Sequence, residues 1–122
     1  MALTIEWRRR IDNWREELPK HFYRELGAVP LSGFTTLEQL TAEQALQGDF
    51  QPMPPGTEWG AKWEYGWFRG QVVLPDEAAG HRVVLKVEVG VPSTIYGGVE
   101  SAIYVDGVIA GARDYKHDHV TL

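Results

Sequence analysis

The sequence predicts a mainly β (α+β) chain that opens with a helical segment and continues as an antiparallel β-rich part. Three observations carry this. Trp7, Ile11, Trp14 and Leu18 recur at intervals of four, three and four, which is one face of a helix. From Phe68 onward apolar residues alternate instead, most clearly in the run Val83 to Val89. Asp106-Gly107 then stands between two short apolar runs, as a two-residue hairpin turn requires.

Thr4 has the hydroxyl of a helix N-cap and precedes Ile5. Arg8, Arg9, Arg10, Arg15 and Glu16 fall largely off the apolar face. Pro19 ends or kinks this helix because it has no N–H to donate. A further helical turn through Phe22, Tyr23 and Leu26, closed by Gly27, is expected next. Residues 27–58 contain four acidic and no basic residues and read mostly as a connector. Within them Thr41 and Gln44 have capping-box spacing for a short helix. Three prolines, Pro52, Pro54 and Pro55, then force extended chain.

The β-rich part follows. A strand carrying Phe68, Val72 and Leu74 on one face stops at Pro75, and Val83 to Val89 form a half-buried strand. Ala102 to Val105 and Val108 to Ala110 flank the Asp106-Gly107 turn, and a last strand covers His119 to Leu122. These breaks divide the chain into a helical segment with connector at 1–50 and a β-rich accessory domain at 51–122, expected to form one unit. Four or five strands make a thin sheet. Either the helix covers one face of it, or the chain is the front part of something larger.

At 122 residues the chain supports one modest core. Its net charge of −5, with no basic run, disfavours nucleic acid and anionic membranes as partners. The absence of cysteine excludes disulfides and thiol chemistry and fits a reducing compartment. No apolar run has the length of a membrane span, and Met1 to Arg10 lacks a signal-peptide core, so a cytoplasmic chain is expected.

Pro54 to Pro75 holds three of the five tryptophans. Drawn as one strand, it places Trp59, Trp63 and Trp67 on a single face with Ala61 and Tyr65. Such a face stacks on sugar rings, which makes these three the candidate carbohydrate contacts. The first expectation, since large aromatics are mostly buried, is that the same face is core packed under Trp7 and Trp14. Glu58 and Glu64 lie nearby, but nothing in the sequence sets them across a cleft as a glycosidase pair. Asp114, His117, Asp118 and His119 are metal-ligand types without an evident third partner from elsewhere in the chain. Gly97-Gly98 precedes no clear helix and makes a poor phosphate cradle. Ser32, Ser93 and Ser101 have no histidine adjacent in sequence.

Taken in order, WGAKWEYGWFRGQVVLP, HRVVLKVEVG and ESAIYVDGVIAGARDYKHDHVTL resemble the region ahead of the catalytic domain in glycoside hydrolase family 38 α-mannosidases of the cytosolic and bacterial type. The resemblance covers essentially the whole chain and is strongest over 54–122. It implies a jelly-roll-like β-sandwich, cut short here, attached to a zinc-dependent retaining α-mannosidase. The zinc then belongs to a catalytic domain absent from this chain, which would be its partner in the same polypeptide, with a mannoside as substrate. The family's zinc motif contains His-Ile-Asp. His117-Asp118-His119 does not match it, so no catalytic residue and no metal ligand is assigned in this chain. An independent carbohydrate-binding module, or a structural domain that forms a homo-oligomer through the N-terminal helix, are the other readings.

Overall fold

A computed structural model describes residues 4–90, 99–114 and 116–122. Two units, Met1–Val73 and Leu74–Leu122, are taken in turn.

In the first unit, helix α1 spans Ile5–Glu17. The Thr4 hydroxyl accepts from the Trp7 N–H at 3.3 Å, satisfying one of the donors a helix start leaves free. Glu6 and Arg10 pair across one turn at 3.0 Å. Pro19 ends the α-helical ladder, and a 3-10 turn, Leu18–His21, replaces it. No residue of α1 is buried, and Trp7 and Trp14 are both about half exposed. The expected packing of these two onto the Trp59–Trp67 stretch therefore does not occur. Nor do Phe22 to Leu26 form a helical turn; they run without regular structure to strand β1.

Strand β1, Leu31–Thr36, is the centre of a three-stranded sheet. Strand β2, Gln51–Pro52, pairs with one edge of it (Ser32 with Pro52, Gly33 with Gln51). Strand β3, Tyr65–Gly70, pairs along the whole of the other, from Leu31 with Gly70 to Thr36 with Tyr65. The supposed connector thus supplies the central strand. Short helix α2, Ala42–Ala45, bridges β1 and β2. It has the expected reciprocal cap, Gln44 N–H to the Thr41 hydroxyl at 3.2 Å and Thr41 N–H to the Gln44 side chain at 2.9 Å. Ala45, at 1% exposure, is the most enclosed apolar residue of the core. Strand β3 stops at Gly70. Val72, Val73 and Leu74, expected to continue it, are exposed.

In the second unit, strand β4, Val84–Lys86, pairs antiparallel with strand β7, His119–Thr121. Val87 N–H to Asp118 O at 2.7 Å and Leu122 N–H to Val83 O at 3.0 Å lengthen the ladder at both ends. Strands β5, Ser101–Val105, and β6, Val108–Arg113, form the hairpin. Its turn residues Asp106 and Gly107 have φ of 50° and 81°, the left-handed values that the Asp-Gly pair tolerates. Between Ile103/Gly111 and Tyr104/Ile109 the register slips by one, leaving Ala110 as a bulge. Gly111 lies so close to Val120 that a Cβ there would sit 2.9 Å from Val120 Cγ1. This close approach lets the hairpin rest on β7, where Ile103 and Val120 are both buried.

Candidate functional site

Alternation along β3 decides where the tryptophans go. Residues 66 and 68 face one side of the sheet and residue 67 the other. Trp59, from the loop ahead of β3, meets Phe68 edge-on with ring centroids 4.9 Å apart. It fills the space where a Cβ on Gly66 would stand. Met53 and Phe68 likewise close over Gly33, on the same face. Trp67 is paired opposite Phe34 and lies on the reverse face. There Phe34 meets Phe50 at 5.0 Å with perpendicular rings, and the Arg69 guanidinium stacks 4.1 Å from the Phe50 centroid.

Trp63 takes neither position. It sits in the turn before β3 at φ 65° and is 81% exposed. Lys62 Nζ stands 5.9 Å from its ring centroid. The three candidate contacts are therefore distributed over two faces and a loop tip rather than one platform. The strand drawn from Trp59 to Trp67 fails because residues 60–64 form a turn, with Gly60 and Trp63 both at positive φ. Trp59 and Trp67 are half-buried, and Trp63 alone presents most of its ring to solvent.

Glu64 holds this turn. Its carboxylate accepts from the Ala61 N–H at 2.8 Å and the Gly60 N–H at 3.1 Å. The Thr35 hydroxyl and these two backbone donors keep its carboxyl below the usual glutamate range. A carboxylate so occupied organises a loop rather than protonating a leaving group. Beside the reverse face a shallow groove is lined by Pro30, Ser32, Arg69, Gly70 and Gln71. Arg69 and Phe50 escape a reading of the sequence. Phe50 lies in the segment read as connector, and the only hint is an isolated aromatic ahead of Pro52.

In the second unit, Asp114 accepts from the N–H groups of Lys116 and His117, each at 2.7 Å, and lies 3.0 Å from His117 Nδ1. These donors hold its carboxyl below the usual aspartate range, Lys116 foremost and His117 next. His119 Nδ1 stands 3.0 Å from the Asp118 carboxylate and holds that carboxyl below the usual aspartate range. The two histidines thus work with different aspartates, and only His119 is on a strand. Among the described residues no group of three or more His, Asp or Glu is placed to hold a metal ion. Ser93 and Gly97-Gly98 lie outside the described residues.

These features define a mostly β, antiparallel domain with one N-terminal helix and no assembled catalytic constellation among the described residues. The family model described as "alpha-mannosidase, jelly roll domain" matches residues 23–116, and the chain belongs to that family. Mouse alpha-mannosidase 2C1 is 40% identical over 58 residues, covering 48% of this chain and 6% of that protein. Human alpha-mannosidase 2C1 is 38% identical over 55 residues, covering 45% of this chain and 5% of that protein. The match therefore spans about one-twentieth of these relatives' length. No solved structure matches.

Proposed function

We propose that the chain is the non-catalytic N-terminal jelly-roll domain of a zinc-dependent, retaining α-mannosidase that removes terminal α-mannosides. One observation carries this reading: the family match over residues 23–116, joined to relatives named alpha-mannosidase that are many times longer. The role is structural support of a catalytic portion in the same polypeptide. The donor set here does not fit a zinc centre, because His117 and His119 each lean on a neighbouring aspartate and no third ligand joins either pair among the described residues. The zinc of this reading accordingly belongs to the catalytic portion. A cytoplasmic setting accords with the lack of cysteine; no described helix is long and apolar enough to cross a membrane.

The test is direct. The 122-residue chain is incubated with a chromogenic α-mannoside, with and without added zinc. No release above the buffer rate is expected, and zinc-dependent turnover by the isolated chain defeats the proposal.

Trp63 favours a second reading, in which the domain itself binds carbohydrate. A tryptophan held at positive φ and 81% exposed is costly to keep unless its ring is used. Titration of mannose and mannobiose against tryptophan emission decides it. A saturable change that disappears in Trp63→Ala supports binding, and a flat titration at high sugar rejects it.

A further inference from the structure

We infer that helix α1 is a dimer contact: its apolar face seats on the same face of a second copy of this chain, with the two helices antiparallel. Trp7, Ile11, Trp14 and Leu18 fall within about 60° of arc on α1 and its C-cap. Trp7 is 49%, Trp14 60% and Leu18 55% exposed, and no residue of the helix is buried. The family match begins at residue 23, so α1 stands ahead of the jelly roll. An uncovered aromatic and aliphatic stripe of this kind marks a contact surface.

The stripe is complementary to itself in one arrangement. Antiparallel pairing about a two-fold axis sets Trp7 opposite Leu18 of the second copy, and Ile11 opposite Trp14 of the second copy. Each indole then meets an aliphatic side chain, and every layer of the seam has a similar width. Parallel pairing would set Trp7 on Trp7 and Trp14 on Trp14 with the narrow Ile11 layer between them, which overpacks the seam. It would also bring Arg10 of each helix beside Arg15 of the other.

Charge on the flanks favours the same arrangement. Arg10 and Glu17 border the stripe on one side, Arg8 and Arg15 on the other. Within each helix Arg10 pairs with Glu6 at 3.0 Å, and Lys20 pairs with Glu17 at 2.7 Å. In the antiparallel pair Arg10 comes beside Glu17 of the second copy, twice by symmetry. Glu6, Arg10, Glu17 and Lys20 then form a string of alternating sign across the seam. On the opposite flank Arg8 comes beside Arg15 of the second copy, and this repulsion limits the affinity. The apolar area available is on the order of 500 Å² per copy, the low end for a specific contact. A reversible dimer with a Kd on the order of 10–100 μM follows. Nothing in this contact depends on the α-mannosidase reading.

The test is sedimentation equilibrium of the intact 122-residue chain, loaded from about 5 to about 500 μM. Monomer and dimer in exchange are expected. Trp14→Ala should raise the Kd about tenfold or more. Arg15→Glu makes the Arg8 contact attractive and should lower the Kd about threefold. Glu17→Lys sets like charges at Arg10 and should raise it about threefold. In a parallel pair Glu17 would meet no charged residue across the seam, so a Kd unmoved by Glu17→Lys overturns the antiparallel contact. A monomer throughout the range overturns the dimer and leaves the face to a different protein segment. A dimer indifferent to Trp14→Ala places its contact elsewhere and overturns the proposal as well.

Discussion

Trp59 lies edge-on against Phe68, while the intervening residue Trp67 faces the other side of the sheet. Trp59 is thus a covering side chain for Gly66 and Gly33's face, and Trp63, one turn away, covers nothing comparable. Trp59→Ala is expected to destabilise the chain by about 2 kcal/mol, less than a fully buried tryptophan because Trp59 is only half-buried. Trp63→Ala should stay within about 0.5 kcal/mol of the parent. Urea midpoints measure both, and equal shifts contradict the assignment.

Gly33 carries a second expectation. A Cβ at this position would stand 2.6 Å from Met53 Sδ, 2.8 Å from Phe68 Cδ1 and 2.8 Å from the Trp67 carbonyl oxygen. The methionine can swing away, but the carbonyl is part of the β1–β3 ladder and cannot. Gly33→Ala should therefore cost about 2 kcal/mol or more. Gly90, an exposed glycine without positive φ and with nothing among the described residues within 4 Å, serves as the control, and Gly90→Ala should change stability by less than about 0.5 kcal/mol.

Glu64 makes the loop sensitive to acid. Its folded carboxyl is held below the ordinary value of 4.5, first by Thr35 and then by the Ala61 and Gly60 amides. A depressed folded value means that its contribution is complete above pH 4.5 and is lost as pH falls below that toward the folded value. Glu64→Gln should therefore narrow the stability difference between pH 6 and pH 3. Thermal unfolding at the two pH values reads this, and an unchanged difference in the variant refutes it.

Arg69 and Phe50 form the stacked pair on the reverse face. Arg69→Met keeps much of the packing but removes the charge, and should cost about 0.5–1 kcal/mol. In a Phe50→Leu background the same change should cost close to nothing, because the ring is gone. A double-mutant cycle with zero coupling removes the stacking from the account.

The elements that local chemistry governs were legible in the sequence. Thr4 and Thr41 cap their helices, Pro19 stops α1, and Asp106-Gly107 turns the hairpin, because each acts on its own backbone within a few residues. Strand β1 was not legible. LSGFTT has no apolar alternation, and its strand character comes from two partners, one 18 to 20 residues away and the other 29 to 39. The single face drawn for the three tryptophans failed for a related reason. Periodicity drew one strand through Trp59, Trp63 and Trp67, yet the Glu64 carboxylate bonds the chain into a turn at Gly60 and Ala61. The burial of Arg113 was hidden too, since nothing local marks an arginine that a register slip carries inside.

That slip at Ala110 works as a change of phase within the hairpin. Before it, toward the turn, Ile109 is matched with Tyr104; beyond it, Gly111 is matched with Ile103 and Arg113 with Ser101. Were regular pairing to continue through Ala110 without the bulge, Ala110 would stand opposite Ile103, Ala112 would take the place opposite Ser101, and Arg113 would pass to the other face. Loss of the Ala110 residue, by contrast, would close the bulge and leave Gly111 opposite Ile103 and Arg113 opposite Ser101. The bulge, rather than the residue that occupies it, thus fixes which side of the strand end faces in.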